Sequence, residues 1–548
     1  MRRRTLDYNL ENQSDTPVLN FFLATSAKTF SRVRSAQLAA PGLSVLVVLL
    51  WGSTLLWGES DHVQEAWQLM TSGDLIGAEK EAKLALREPS TRAQGWTTLG
   101  AIRIREKKYE EGTSCLRTAL GFNPRLTSAH VMLGEAYVLT GRKVRARTQF
   151  NEALRIDPKS EKARFALAQL ESINGNFSTS LEVAGPVLDE LHHSSEGILL
   201  LARDYAGLQR TDPLLALVAE WEQLPQVSAE AAEALASLLA KNGFSQQALE
   251  ILEHAESRGQ VSYGLALALA NLYFSTGDLN KAFASYEAAL SLKPECVDCL
   301  RHLANIAERQ KDPERALAYL IKAKRIQPEN PDVLFEFGKS CLELELVDDA
   351  MGALQKAAQL RPDSDSYTYV LGSAHVAKKQ YDPAVKLFQA LLKKHPNDPV
   401  VNYALGSVLF LEVKLDDAAK YLQKSIQLNS NQSAPYYYLG LIAEGKGQND
   451  QAIATFQDLV RRFPDYSAAY EALGAILLKQ RKFSEAQQAL EKAVVLDPSS
   501  VKAHYQLGVL LGRLGKPQDA NQQFELVKQL NAQEARRSGM KLHLLNQQ

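Results

Sequence analysis

The chain has 548 residues, 45% of them hydrophobic, with 62 basic against 63 acidic side chains and a formal net charge of −1. So even a balance leaves no electrostatic footprint for nucleic acid. That hydrophobic content supports packed structure rather than disorder. Residues 1–34 carry six basic residues (Arg2, Arg3, Arg4, Lys28, Arg32, Arg34) against three acidic ones (Asp7, Glu11, Asp15) and show little period, so they read as a basic, mostly disordered tail.

Residues 35–58, Ser35 to Gly58, contain no charge, and Leu43 to Trp57 is dominated by Leu, Val and Trp. As a helix this stretch spans about 36 Å, enough to cross a hydrocarbon core. Three readings fit: a transmembrane helix or signal anchor, a cleaved signal peptide, or a buried core helix. Leu56-Trp57-Gly58 puts large residues where a cleavage site wants small ones. Trp51 and Trp57 suit an interface, and basic residues before with Glu59 and Asp61 after put the N-terminus in the cytoplasm. The expectation is a single-pass membrane protein with its remaining chain on the non-cytoplasmic side. Secretion after cleavage is the alternative.

From Ala93 a 34-residue period takes over. Pro294, Pro328, Pro362 and Pro396 stand 34 apart, and the same register reaches Pro124 and Pro158 upstream and Pro464 and Pro498 downstream. With Ala93 as position 1, thirteen repeats fit up to Glu534. Position 7 is Leu from Leu99 to Leu507, with Phe337 the exception. Position 8 is always Gly or Ala, and position 20 is mostly Ala. Small residues at 8 and 20 let two antiparallel helices approach closely. Pro at position 32 ends the second helix. Such a period marks a stacked repeat.

This pattern resembles the tetratricopeptide repeat (TPR). Leu133, Gly134, Tyr137, Ala146, Phe150, Ala153 and Pro158 fall at that family's positions. The resemblance implies an all-α TPR solenoid: helix-turn-helix units stacked as a right-handed superhelix around a concave groove. It implies a non-catalytic scaffold for peptide or protein partners, similar to bacterial membrane-anchored or exported TPR proteins, so the non-cytoplasmic side would be the periplasm.

In that frame 59–92 is a degenerate first repeat or cap, with Ala66, Ala78, Ala82 and Ala85 at small positions but Glu65 at position 7. Residues 93–160 hold two clear repeats. Residues 161–262 are divergent: position 32 loses its Pro, Pro186 falls late in a second helix, and Leu214 and Trp221 replace small residues, which is expected to push helices apart. Residues 263–534 are regular, and 535–548 belong to a C-terminal capping helix.

Catalytic and cofactor motifs are missing: no G-x-x-x-x-G-K-[ST], no G-x-G-x-x-G after a strand, no H-E-x-x-H. His192-His193 lacks a third ligand and reads as a solvated loop. Cys296-x-x-Cys299 falls at a helix start, where thiol pKa drops. It suits a structural disulfide, or an accessory thiol-redox role; a second C-x-x-C for zinc is missing.

The resemblance turns helix-A positions 2, 5, 9 and 12 toward the groove. Position 5 reads Phe335, Tyr369, Tyr403, Tyr437, then Glu471, then Tyr505. This aromatic ladder is a candidate contact strip for a peptide, or else framework; position 9 adds Asn271, Asn305 and Lys339. Arg301 and Asn305 match half of the family's clamp for carboxylate tails, but Glu336 stands where Asn is needed. Position 6 also lacks the Asn ladder of the O-linked N-acetylglucosamine transferases. The function expected is a membrane-held interaction scaffold, in envelope complex assembly or polysaccharide export. An import receptor with cytosolic repeats is the alternative.

Overall fold

The computed structural model describes residues 61–546, with side chains for 62–533. The expected basic tail and apolar helix at 35–58 lie outside the described residues. Among the described residues no helix is long and apolar enough to cross a membrane. Regular structure there is entirely helical. The chain divides into two compact units, one ending at Lys293 and one beginning at Pro294.

In the unit up to Lys293, Asp61–Ser72 pairs with Leu75–Ala85, so the degenerate first repeat is a helix pair like the others. Six further repeats follow, from Arg92–Arg105 to Leu279–Leu292. The unit from Pro294 begins with Val297–Arg309 and ends with Pro517–Asn546. In the repeats from Thr127 onward the first helix opens at position 1, and in all thirteen the second opens at position 17.

The reason lies at position 15. Its backbone is left-handed in all thirteen repeats: glycine at Gly141, Gly175, Gly243, Gly277, Gly447 and Gly515, and other residues at Lys107, Gln209, Lys311, Glu345, Lys379, Val413 and Arg481. A left-handed residue breaks the i→i−4 ladder and turns the chain back on itself. Only at Val413 (φ 62°) does a β-branched residue accept that conformation, which costs energy because its Cβ crowds the following carbonyl. Side-chain caps then restart helices: the Asp398 carboxylate accepts from the N–H of Val400 and Val401 at 2.8 and 3.1 Å, satisfying donors the helix cannot.

Positions 8 and 24 set the closeness of each pair. Every repeat with Phe at position 24 (Phe150, Phe388, Phe456, Phe524) has Gly at position 8 (Gly134, Gly372, Gly440, Gly508). A Cβ on Gly372 or Gly508 would stand 2.7 and 2.8 Å from the facing ring. The ring occupies the volume a methyl would need. Where position 8 is Ala, as at Ala304, position 24 holds a non-phenylalanine residue, here Leu320.

The divergent stretch keeps this frame. Pro186 splits the second helix of its repeat into Phe177–Ala184, a short 3-10 turn Gly185–Val187 and Leu188–His192. Leu214 and Trp221, the large residues of the next repeat's second helix, are buried. At the far end Pro517–Asn546 runs as one helix through the point where a separate capping helix was expected.

Candidate functional site

Within the unit from Pro294, the first helices of the repeats at Val297, Pro331 and Asp365 carry a charged and aromatic cluster. Arg301 grips Glu336 with two donors, at 2.9 and 2.6 Å, and lies 3.6 Å from Asp298. Lys339 donates to Glu308 at 2.9 Å. Phe335 stacks on Tyr367 with ring centroids 4.4 Å apart and planes 7° from parallel. The Tyr367 hydroxyl donates to Asp332 at 2.5 Å. A stacked pair beside a two-point ion pair is preorganised, because guanidinium and carboxylate lock each other's rotamers.

The electrostatics follow from the packing. Burial opposes the charge on Arg301, but Glu336 more than restores it and holds the guanidinium's pKa up. Burial likewise opposes Lys339, and Glu308 reverses the effect. Glu343 has the opposite balance: burial and the charge of Glu308 push its carboxyl up, against the pull of Lys339. The Arg301–Glu336 pair also accounts for the missing tail clamp, since the guanidinium that would meet a carboxylate is already taken.

The position-5 ladder divides. Phe335 is half-buried and Tyr505 is 54% exposed. Tyr369 and Tyr403 have no exposed surface and Tyr437 retains 6%. Tyr369 packs on Phe388 at 5.5 Å, Tyr437 on Phe456 at 6.0 Å and Tyr505 on Phe524 at 5.9 Å, so the position-5 ring reaches to position 24 of its own repeat. A partner reaching Tyr369, Tyr403 or Tyr437 must part the packing around them. Of the polar candidates, Asn305 is exposed, Asn271 accepts a 2.7 Å bond from Tyr286, and Lys339 is paired as described. Sequence reading passed over Tyr367 and Glu343. Tyr367 stands at position 3, which the groove pattern ignores, and Glu343 carries no motif.

Cys296 and Cys299 are joined in a disulfide. Cys296 is the cap of Val297–Arg309, with its sulfur accepting the Cys299 N–H at 3.1 Å. Both are buried, so the pair braces a helix start. His62, Glu65 and Glu81 offer ligand atoms within 4.8 Å of one another, but His62 already bonds Glu81 at 2.7 Å and Glu65 is exposed.

The tetratricopeptide repeat family model matches residues 99–161, 226–295, 267–331, 303–365, 437–500 and 472–535, and a second model of the same description matches 342–408. The chain belongs to the tetratricopeptide repeat family. Superkiller protein 3 of Schizosaccharomyces pombe is 30% identical over 92 residues, which is 17% of this chain and 7% of that protein. Among solved structures, the Cut9–Hcn1 complex of the APC/C shares 14% identity with a TM-score of 0.37, covering 83% of this chain and 97% of that one. Yeast Tom70 shares 17% at a TM-score of 0.35, covering 82% and 97%. A TPR protein from Parabacteroides merdae shares 18% at 0.38, covering 45% and 98%.

Proposed function

We propose that this TPR chain is a non-catalytic scaffold that holds protein or peptide partners on the first-helix face of its repeats. The observation that carries the reading is the cluster at Arg301, Phe335, Glu336, Lys339 and Glu343: held in place by paired charges and a stacked ring, and partly open. A partner would lay an apolar side chain on Phe335, hydrogen-bond Asn305, and bring a basic group to Glu343. Aromatic anchors in such positions carry much of the binding energy.

The uncharged stretch Ser35 to Gly58 supports a membrane anchor, with the repeats on the non-cytoplasmic side. Envelope complex assembly and polysaccharide export are contexts consistent with that placement. The accessory redox reading has less behind it, because the thiol pair is enclosed. The test is carbonate extraction of membranes followed by protease treatment of intact and opened cells. Repeats that stay with the membrane and are cleaved once the outer envelope is opened, with the cytoplasmic membrane still sealed, support the placement. Repeats released by carbonate, or cleaved only once the cytoplasm is opened, count against it.

A further inference from the structure

A cleft of about 610 Å³ opens between the second helices Tyr381–Lys394 and Leu415–Leu428, with Asn402 and Leu405 of the first helix Pro399–Leu411 in its lining. Its apolar lining is Leu392, Pro396 and the buried Leu405. Lys393, Lys420 and Lys424 stand around it, and no acidic residue lines it. None of the three lysines makes an ion pair among the described residues. Lysines nearby do: Lys378 with Asp348, Lys394 with Asp365, Lys414 with Glu412 and Lys446 with Asp416, at 2.6 to 2.9 Å. Asp417 lies one turn before Lys420 without pairing to it.

The spacing explains the arrangement. Gln389 and Lys393 are four apart on one helix; Lys420, Gln423, Lys424 and Gln427 follow at three and four on the other. Each set therefore shares one face, and the two faces meet across the cleft. The amides of Gln389, Gln423 and Gln427 are directional donors and acceptors beside three point charges. The Asn402 amide is already used on the carbonyls of Pro396 and Asp398, at 3.3 and 2.7 Å, which fixes the adjoining backbone.

We infer that this cleft binds an acidic peptide segment that seats one aliphatic or aromatic side chain on Leu392 and Leu405 while its carboxylates meet Lys393, Lys420 and Lys424. Charge complementarity selects an anion, and the apolar floor selects one with a side chain to bury. The size lies in the range of ligand clefts. A membrane surface would need its apolar contact on a protruding face rather than at the bottom of a cleft. Nucleic acid would need a longer basic stripe than three lysines on two helices. This cleft shares no residue with the cluster at Arg301, Phe335, Glu336, Lys339 and Glu343, and stands or falls independently of it.

The experiment titrates the full chain in detergent with a fluorescently labelled peptide of Glu and Asp carrying a single Leu. Beside it run the same peptide with Ser for Leu, phosphatidylserine vesicles and single-stranded DNA. The protein is compared with K393Q/K420Q/K424Q, exposed or half-exposed positions whose change should leave the helical spectrum intact, and with F335A. Saturable binding, weakened about tenfold by the triple change, weakened also by loss of the Leu, reduced by salt and unchanged by F335A, is the expected result. Absence of saturable binding, an unaffected triple variant, indifference to the Leu, or lysine-dependent competition in which vesicles or DNA displace the peptide would each overturn the proposal.

Discussion

Replacing Gly372 with alanine places a methyl 2.7 Å from Cε1 and 2.8 Å from Cζ of Phe388, whose ring is fully buried and packed on Tyr369. The ring cannot swing into solvent, so helix Asp365–Ala377 must back away from Tyr381–Lys394. Overpacking of this kind costs about 1–3 kcal/mol. Alanine returns up to about 1 kcal/mol as a better helix former than glycine, leaving a net loss of about 0–2 kcal/mol. Gly352 is the control. It sits inside helix Val347–Leu360 with nothing within 4 Å of a Cβ, so Gly352→Ala should stabilise by about 0.5–1 kcal/mol. Repeat arrays depart readily from two-state unfolding. Urea midpoints should therefore be read with hydrogen exchange over 365–394. If Gly372→Ala stabilises as much as Gly352→Ala, helix approach does not set the residue at position 8.

Val413→Asn removes a left-handed β-branched residue whose side chain is mostly exposed, and should raise the urea midpoint by about 0.5–1 kcal/mol in stability. Glu135, pushed up to about 7 by burial against the pull of Lys162, makes a contribution that is greatest below 4.5 and lost as pH rises from 4.5 toward 7. With solvent still reaching the residue, a swing of about 1 kcal/mol is expected. Glu135→Gln should flatten that part of the profile. Burial pushes the Cys341 thiol up to about 12 and leaves it no exposed surface, so a maleimide should modify Cys115 well before Cys341, whose labelling should follow unfolding. Glu336→Ala leaves the half-buried Arg301 guanidinium without its two-point partner, with Asp298 still 3.6 Å away, and should cost about 1–3 kcal/mol; Arg301→Met/Glu336→Met should cost less than Glu336→Ala alone.

The repeat frame was legible because it depends on local chemistry. Proline at position 32, small residues at 8 and 20, and glycine or polar residues at the turns recur at one spacing. The left-handed turn at Lys107 or Val413 was not legible, since the turn geometry imposes that conformation on residues that do not favour it. How deeply Leu214 and Trp221 lie escaped the sequence: both are buried, in the repeat that follows the break at Pro186. Matches to the family models likewise leave out 162–225. Position 5 shows a different limit. A ladder of aromatics predicts a shared direction, but how deeply each ring lies depends on the neighbouring elements, as Tyr369 and Tyr505 show at the same position. Lys393, Lys420 and Lys424 belong to no motif and lie on two different helices, and only the packing of those helices brings them to one cleft.

Crosslinking capture in native membranes tests the scaffold most directly. The full chain is compared with Asn305→Ala/Phe335→Ala, chosen because both side chains reach the surface, while helical content is followed by circular dichroism. The account predicts a discrete partner, captured by the native chain and lost from the double variant with the spectrum unchanged. A partner captured equally well by both would contradict it, and would move binding away from the first-helix face.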